Sequence, residues 1–181
     1  LPESDLPQLY HWNNMLAAPD DPEWSVGSAL ETSQVATVNL VGYCAKLALE
    51  RRGGNGQDIM SLLARTEVNG ELLSPEKLGF NGHMFFAAGH ETTRAALSAG
   101  LLAMIRDPAQ WRALREKRHD ASAVKAAAEE SVRWASPLTH TLRTATEDTI
   151  IGGQKIKEGD WVVAWIISAN RDEAVFPDPM R

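Results

Sequence analysis

The 181-residue sequence contains a single cysteine, Cys44, so an internal disulfide framework and a multi-cysteine zinc site are both excluded. A reducing compartment, the cytoplasm, is the setting this implies. Basic residues are in deficit: 18 Lys and Arg against 24 Asp and Glu leave a net charge of −6, which argues against a nucleic-acid partner. Long apolar runs are lacking as well. No charge-free stretch reaches the roughly 18 residues that a membrane span requires. The chain opens LPESDLPQLY, with neither an initiator Met nor a basic-then-apolar leader, and stops at FPDPMR in a loop-like stretch, so both ends read as cut. Repeats and low-complexity segments are absent. What is present is ample apolar material, 44% hydrophobic against 23% charged residues, which excludes wholesale disorder and is of a size for one domain.

Helical patterning dominates. Residues 6 to 18 carry Leu9, Trp12 and Leu16 at helical spacing behind Pro7. A second helical stretch runs from Ser28 to Arg52 through Val35, Val38, Leu40, Val41, Ala45, Leu47 and Leu49, and stops at GGNG. Cys44 within it reads as a small buried apolar residue. Asp58 is suited to cap a short helix, IMSLLART, and VNGELLS reads as a turn. Ser74-Pro75-Glu76 then starts a proline-free segment to about Arg106, apolar on nearly every side, which predicts a buried central helix. Asp107-Pro108 caps the next helix, and residues 122 to 134 form another, closed by Ser136-Pro137. Beyond Thr139, TLRTAT, TIIGG, QKIKEGD and WVVAWIIS read as short strands and a hairpin. The expected fold class is mainly α with a small β element near the C-terminal end.

Inside the long helix sits FFAAGHETTR, residues 85 to 94. A glycine followed by Glu91, Thr92 and Thr93 is costly in a buried helix unless those groups have partners. Either Gly89 permits a close helix crossing, with the threonines bonding to the preceding turn, or the segment is a site. His90-Glu91 does not begin a zinc motif, because the position for a second histidine is Arg94. GGNG lacks both the Gly-Lys-Ser/Thr and the preceding strand of a phosphate loop. A second cluster is Glu129-Glu130-Ser131-Val132-Arg133, in which either acid could form an ordinary solvated helix pair with Arg133. His11, His83 and His119 have no partner cluster.

Order and spacing carry more than any one motif. A long helix bearing AGHETT, an ExxR helix about 40 residues on, then WASP, an Arg-bearing strand TLRTATED, GGQKIKEGD and ANRDEAVFPDPMR together resemble the bacterial cytochrome P450 family, over essentially the whole chain. The resemblance implies a largely α-helical haem-thiolate monooxygenase fold, with residues 1–181 as part of a single domain. It implies that Ala88 and Gly89 let the helix pass close over the porphyrin. It makes Glu91 and Thr92 the acid and alcohol that deliver protons, and Arg143 the partner of a haem propionate. Glu130, Arg133 and Arg181 would form a structural ionic network, while Met84, Leu138, Thr139 and His140 would face substrate. For Met84 core packing is the alternative reading, and for Arg143 a surface charge on a strand edge.

The family's iron ligand is a cysteine in a loop after the Pro-x-Arg motif, so no metal ligand is expected within this chain, and neither Cys44 nor His140 fills that role. The implied cofactor is haem b with O2 as co-substrate. The implied partners are a lipophilic small molecule such as a terpene, fatty acid or sterol, and a ferredoxin with its reductase, fed indirectly by NAD(P)H. The isolated fragment is not expected to bind haem productively or to turn over. The competing class is a non-catalytic helical ligand-binding or regulatory domain, in which AGHETT is a packing kink with no flat apolar groove above Ala88-Gly89.

Overall fold

The structure, a computed structural model, describes residues 1–180 and divides into two compact units, Leu1–Glu91 and Thr92–Arg181. The division falls within one long helix.

In the first unit α1 (Leu6–Ala17) packs on α2 (Ala29–Glu50), and α2 on α3 (Ile59–Arg65). A capping box starts α2: the Ser28 hydroxyl accepts from the Glu31 amide at 3.3 Å while the Ser28 amide donates to Glu31 Oε2 at 2.8 Å. The buried seam of α2 is Ala36, Leu40, Cys44, Leu47 and Ala48, an i, i+4, i+8, i+11, i+12 stripe. Of the apolar residues that mark this stretch in the sequence, Leu40 and Leu47 are buried, whereas Val35, Val38 and Leu49 are exposed. Small residues carry the seam because other helices must approach it closely. Cys44 is buried as expected, and burial pushes its thiol up to about 11.

The helix α4 (Pro75–Arg106) runs unbroken over the span expected for it. Its contacts are made through glycine. A Cβ on Gly79 would lie 2.6 Å from the Val41 carbonyl oxygen, and one on Gly82 would lie 2.7 Å from Cys44 Cβ. The expectation that α4 is buried on all sides does not hold, since Phe80, Met84, Phe85, Leu97, Leu101 and Ile105 are all exposed. Leu78, Gly79 and Gly82 press on the α2 side, and Ala96 and Gly100 are buried further along the helix, while the faces that carry these exposed side chains are open.

Asp58 caps α3 through the amides of Met60 and Ser61, at 3.1 and 3.2 Å, and also receives the Ser61 hydroxyl and Arg51. The Ser61 hydroxyl, foremost, and the backbone and Arg51 donors hold its carboxyl at about 2, below the usual 3.8. A carboxyl depressed in the folded state stabilises above its unfolded pKa and loses that contribution as pH falls. Asp58→Ala is therefore expected to lower stability by about 1 kcal/mol at neutral pH, with a deficit that shrinks as pH falls from about 4 towards 2. Urea denaturation at several pH values measures it, and a pH-independent deficit would contradict the assignment. The segment read as a turn after α3 is a minimal hairpin, β1 (Glu67–Val68) and β2 (Glu71–Leu72), turned by Asn69 and Gly70 at φ 55° and 82°.

The second unit carries the rest of α4, then α5 (Pro108–Glu116) and α6 (Ala121–Ala135). Asp107 caps α5 and Asp120 caps α6. Gly100 is where α4 meets α6, since a Cβ there would lie 2.6 Å from Ser131 Oγ. Antiparallel β3 (Thr141–Thr144) pairs with the later β6 (Trp161–Ala164), placing Arg143 opposite Val162. Between them β4 (Thr149–Ile151) and β5 (Gln154–Ile156) form the expected hairpin over Gly152-Gly153, at φ 56° and 82°. The strand reading of WVVAWIIS holds only to Ala164, because Ile166–Ala169 forms a short helix, α7. Among the described residues no helix is long and apolar enough to cross a membrane.

Candidate functional site

Glycine positions bear on the helix-crossing reading of AGHETT. A helix crossing at Gly89 would put a neighbour against it, yet a Cβ built there meets nothing within 4 Å, and both Ala88 and Gly89 are exposed. The crossings fall at Gly79, Gly82 and Gly100 instead. Ala88 and Gly89 thus form a low, open ledge on a continuous helix. Met84, one turn earlier, is 69% exposed in this structure.

Glu91 and Thr92 follow the ledge and are half-buried. On the α1 side, buried Asn13 points its side-chain amide at this segment: Nδ2 lies 2.8 Å from His90 Nδ1 and 3.5 Å from Glu91 Oε2. The His90 ring stacks on Phe86 at 5.6 Å and 7°, and rests on Tyr10 at 5.0 Å. His90 Nδ1 and Glu91 Oε2 are 3.9 Å apart. The sequence offered one signal for Asn13: a polar residue within the helical pattern of residues 6 to 18, which must find a partner if buried.

In the second unit Arg133 is buried and Glu130 is its acid. Nε donates to Glu130 Oε2 at 2.7 Å and Nη2 to Oε1 at 2.6 Å, a bidentate pair. Glu129 is exposed. The pair is asymmetric, with the Arg133 side chain 9% exposed and that of Glu130 54%. Arg133 Nη1 donates to the carbonyls of Asn170 and Pro179, at 2.8 and 2.9 Å, and the guanidinium lies 5.0 Å from the Phe176 ring centroid. Arg181, expected in this network, lies outside the described residues.

A second arginine, not anticipated, extends the network. Arg171 donates to Ser136 Oγ at 3.1 Å and to the Trp134 carbonyl at 3.0 Å. Ser136 stands at the end of α6 in the left-handed region, φ 42°, and is buried. Its hydroxyl donates to the Arg133 carbonyl at 2.8 Å and accepts from Asn170 Nδ2 and Arg171, which uses its full hydrogen-bonding capacity. The motif ANRDEAVFPDP is thereby pinned to the end of α6.

Arg143 is exposed on β3, and its Nη1 donates to the Leu142 carbonyl at 2.8 Å. A free-standing guanidinium can take a carboxylate bidentately, and it equally suits a strand-edge surface charge. Leu138, Thr139 and His140 are exposed just before β3, where Thr139 Oγ1 lies 2.9 Å from His140 Nδ1 and the His140 ring rests 5.0 Å from Trp165. A separate apolar cleft of about 700 Å³ lies among α4, α5 and α6, and among the described candidate residues only Glu130 lines it. Among the described residues no group of three or more His, Cys, Asp or Glu is placed to hold a metal ion.

The family model for cytochrome P450 matches residues 45–181. The chain is 38% identical over 180 residues to the steroid C26-monooxygenase of Mycolicibacterium smegmatis, covering 99% of this chain and 40% of that protein. It is 40% identical over 174 residues to the linalool 8-monooxygenase of Pseudomonas putida, covering 96% of this chain and 42% of that protein. The structure resembles a Mycobacterium marinum cytochrome P450 in complex with pseudoionone, with a TM-score of 0.89 and 34% identity over 99% of this chain and 43% of that one. The chain spans about two fifths of the length of these relatives.

Proposed function

The chain belongs to the cytochrome P450 family, and from that premise we propose that it is part of the single haem-binding domain of a monooxygenase that inserts one atom of O2 into a lipophilic small molecule. The observation that carries this reading is the ledge at Ala88-Gly89: a mid-helix glycine with nothing within 4 Å, followed at once by Glu91 and Thr92. A flat aromatic macrocycle needs small side chains at its closest approach, and these two residues fit it. When bound, haem b supplies the redox chemistry of O2 activation and oxygen insertion.

This chain's residues hold and gate. Ala88 and Gly89 would give the macrocycle room for close approach. The Arg143 guanidinium would hold a propionate carboxylate. The Glu91 carboxylate takes up and releases protons at Oε2, and the Thr92 hydroxyl holds a water or passes a hydrogen bond beside it. Met84, Leu138, Thr139 and His140 contact substrate and exclude water. Glu130 and Arg133 hold the Asn170–Pro179 segment on α6. The iron would be held by a cysteine thiolate other than Cys44, and electrons would come from a ferredoxin and its NAD(P)H-fed reductase in the cytoplasm. Relatives named for steroids, linalool and methyl-branched lipids support a substrate of terpenoid, sterol or branched-lipid character.

The test is the spectrum of the reduced, carbon monoxide-bound full-length chain. A thiolate-type Soret shift is expected, with type I spectral changes on titrating a sterol, a monoterpene alcohol and a branched fatty acid. A folded full-length chain that takes up no haem would overturn the reading.

A further inference from the structure

Glu91 is held by another helix, and what holds it also sets the state of its neighbour. Asn13 is 2% exposed, and its single amide nitrogen faces two groups on α4, His90 Nδ1 at 2.8 Å and Glu91 Oε2 at 3.5 Å. The orientation of that amide follows from the carboxylate. Turned the other way, Oδ1 would face a carboxylate oxygen, acceptor against acceptor, in a half-buried place. With Nδ2 towards α4, both amide hydrogens have acceptors, and His90 Nδ1 must offer its lone pair. The His90 proton then sits on Nε2. Phe86, parallel to the ring within 7°, and Tyr10, 5.0 Å away, pack against the imidazole and hold its plane, with Nδ1 towards Asn13.

We propose that Asn13 is a positioning residue for Glu91: through one amide, α1 fixes His90 as the Nε2–H tautomer and holds the Glu91 carboxylate in its orientation on α4. This rests on the reading of Glu91 as the proton-carrying acid and adds what keeps that acid in place. If the amide is lost, His90 is free to take the Nδ1–H form and donate towards Glu91 Oε2, now 3.9 Å away. The carboxylate would then be drawn to the imidazole and away from its working orientation.

The experiment uses the full-length haem protein with ¹⁵N-labelled histidine, in the diamagnetic ferrous carbon monoxide form. The His90 resonances are assigned by their disappearance in His90→Gln. The native protein should show the Nε2–H tautomer. Asn13→Leu should mix the tautomers, and Asn13→Asp, which replaces the donor with an acceptor, should drive His90 to Nδ1–H. Asn13→Leu should also lower kcat about tenfold with KM nearly unchanged. A native His90 in the Nδ1–H form overturns the proposal even if both variants fail to fold. So does a tautomer unmoved by either substitution, or a moved tautomer with unchanged kcat. Glu91→Gln with native kcat would instead overturn the underlying reading of Glu91 and leave the tautomer result standing by itself.

Discussion

Replacing Arg133 by lysine is expected to loosen the Asn170–Pro179 segment, leaving it on α6 only through Ser136 and Arg171, and to cost about 2–4 kcal/mol. The magnitude comes from the carbonyls rather than the carboxylate. Glu130 is more than half exposed and can return to water, so its lost pairing contributes little. The carbonyls of Asn170 and Pro179 instead lose the one Nη1 group that serves both, and a buried acceptor left without a donor costs about 1–3 kcal/mol. A lysine ammonium cannot reproduce the planar fork that spans Glu130 and both carbonyls at once. Glu130→Gln should accordingly cost about 1 kcal/mol, well below Arg133→Lys. Urea denaturation of the full-length protein, followed by tryptophan fluorescence and by haem retention, measures both. Equal losses for the two variants, or native stability in Arg133→Lys, would show that the carbonyl contacts do not carry the segment.

Glu91→Gln should lower kcat by about 100-fold or more while leaving KM and stability nearly unchanged. The amide keeps the size of the side chain and its reach to Asn13, and it removes the ability to carry a proton. A growing solvent isotope effect on kcat should accompany the loss, because proton delivery then limits turnover. Steady-state kinetics with a bound substrate in H2O and D2O reads both quantities. A kcat within a factor of about three of native would remove Glu91 from the proton path. Thr92→Ser, which keeps the hydroxyl, should stay near native, whereas Thr92→Val should fall with Glu91→Gln.

Much of this molecule is legible from local chemistry. The caps at Asp58, Ser74 and Asp107, the start of α4 at Pro75 and the Gly152-Gly153 turn are short-range signals that residues a few positions apart satisfy among themselves. The ordered set of AGHETT, ExxR and ANRD was likewise readable, since motif spacing survives in one dimension. The face of α2 was legible only in part: Leu40, Cys44 and Leu47 are buried as the pattern offered, but Val35, Val38 and Leu49 are exposed and Ala36 and Ala48 are buried instead. Close helix approach selects small residues, and apolar size alone cannot show which stripe a neighbour will reach.

The sequence by itself determined the helical character, the element boundaries to within a few residues, the family, and which side chains could carry protons or bind carboxylates. These follow from backbone propensity, capping and spacing, which act over a few residues. Only the tertiary structure decided that Gly79, Gly82 and Gly100 are the crossings while Gly89 stands open, that Glu130 and not Glu129 pairs with Arg133, and that Arg171 and Ser136 extend that network. It alone brought Asn13 to His90 and Glu91, 77 and 78 residues away along the chain. The physical reason is that a buried polar group must be satisfied by whatever the fold places beside it, and that partner is fixed by packing in three dimensions rather than by distance along the chain.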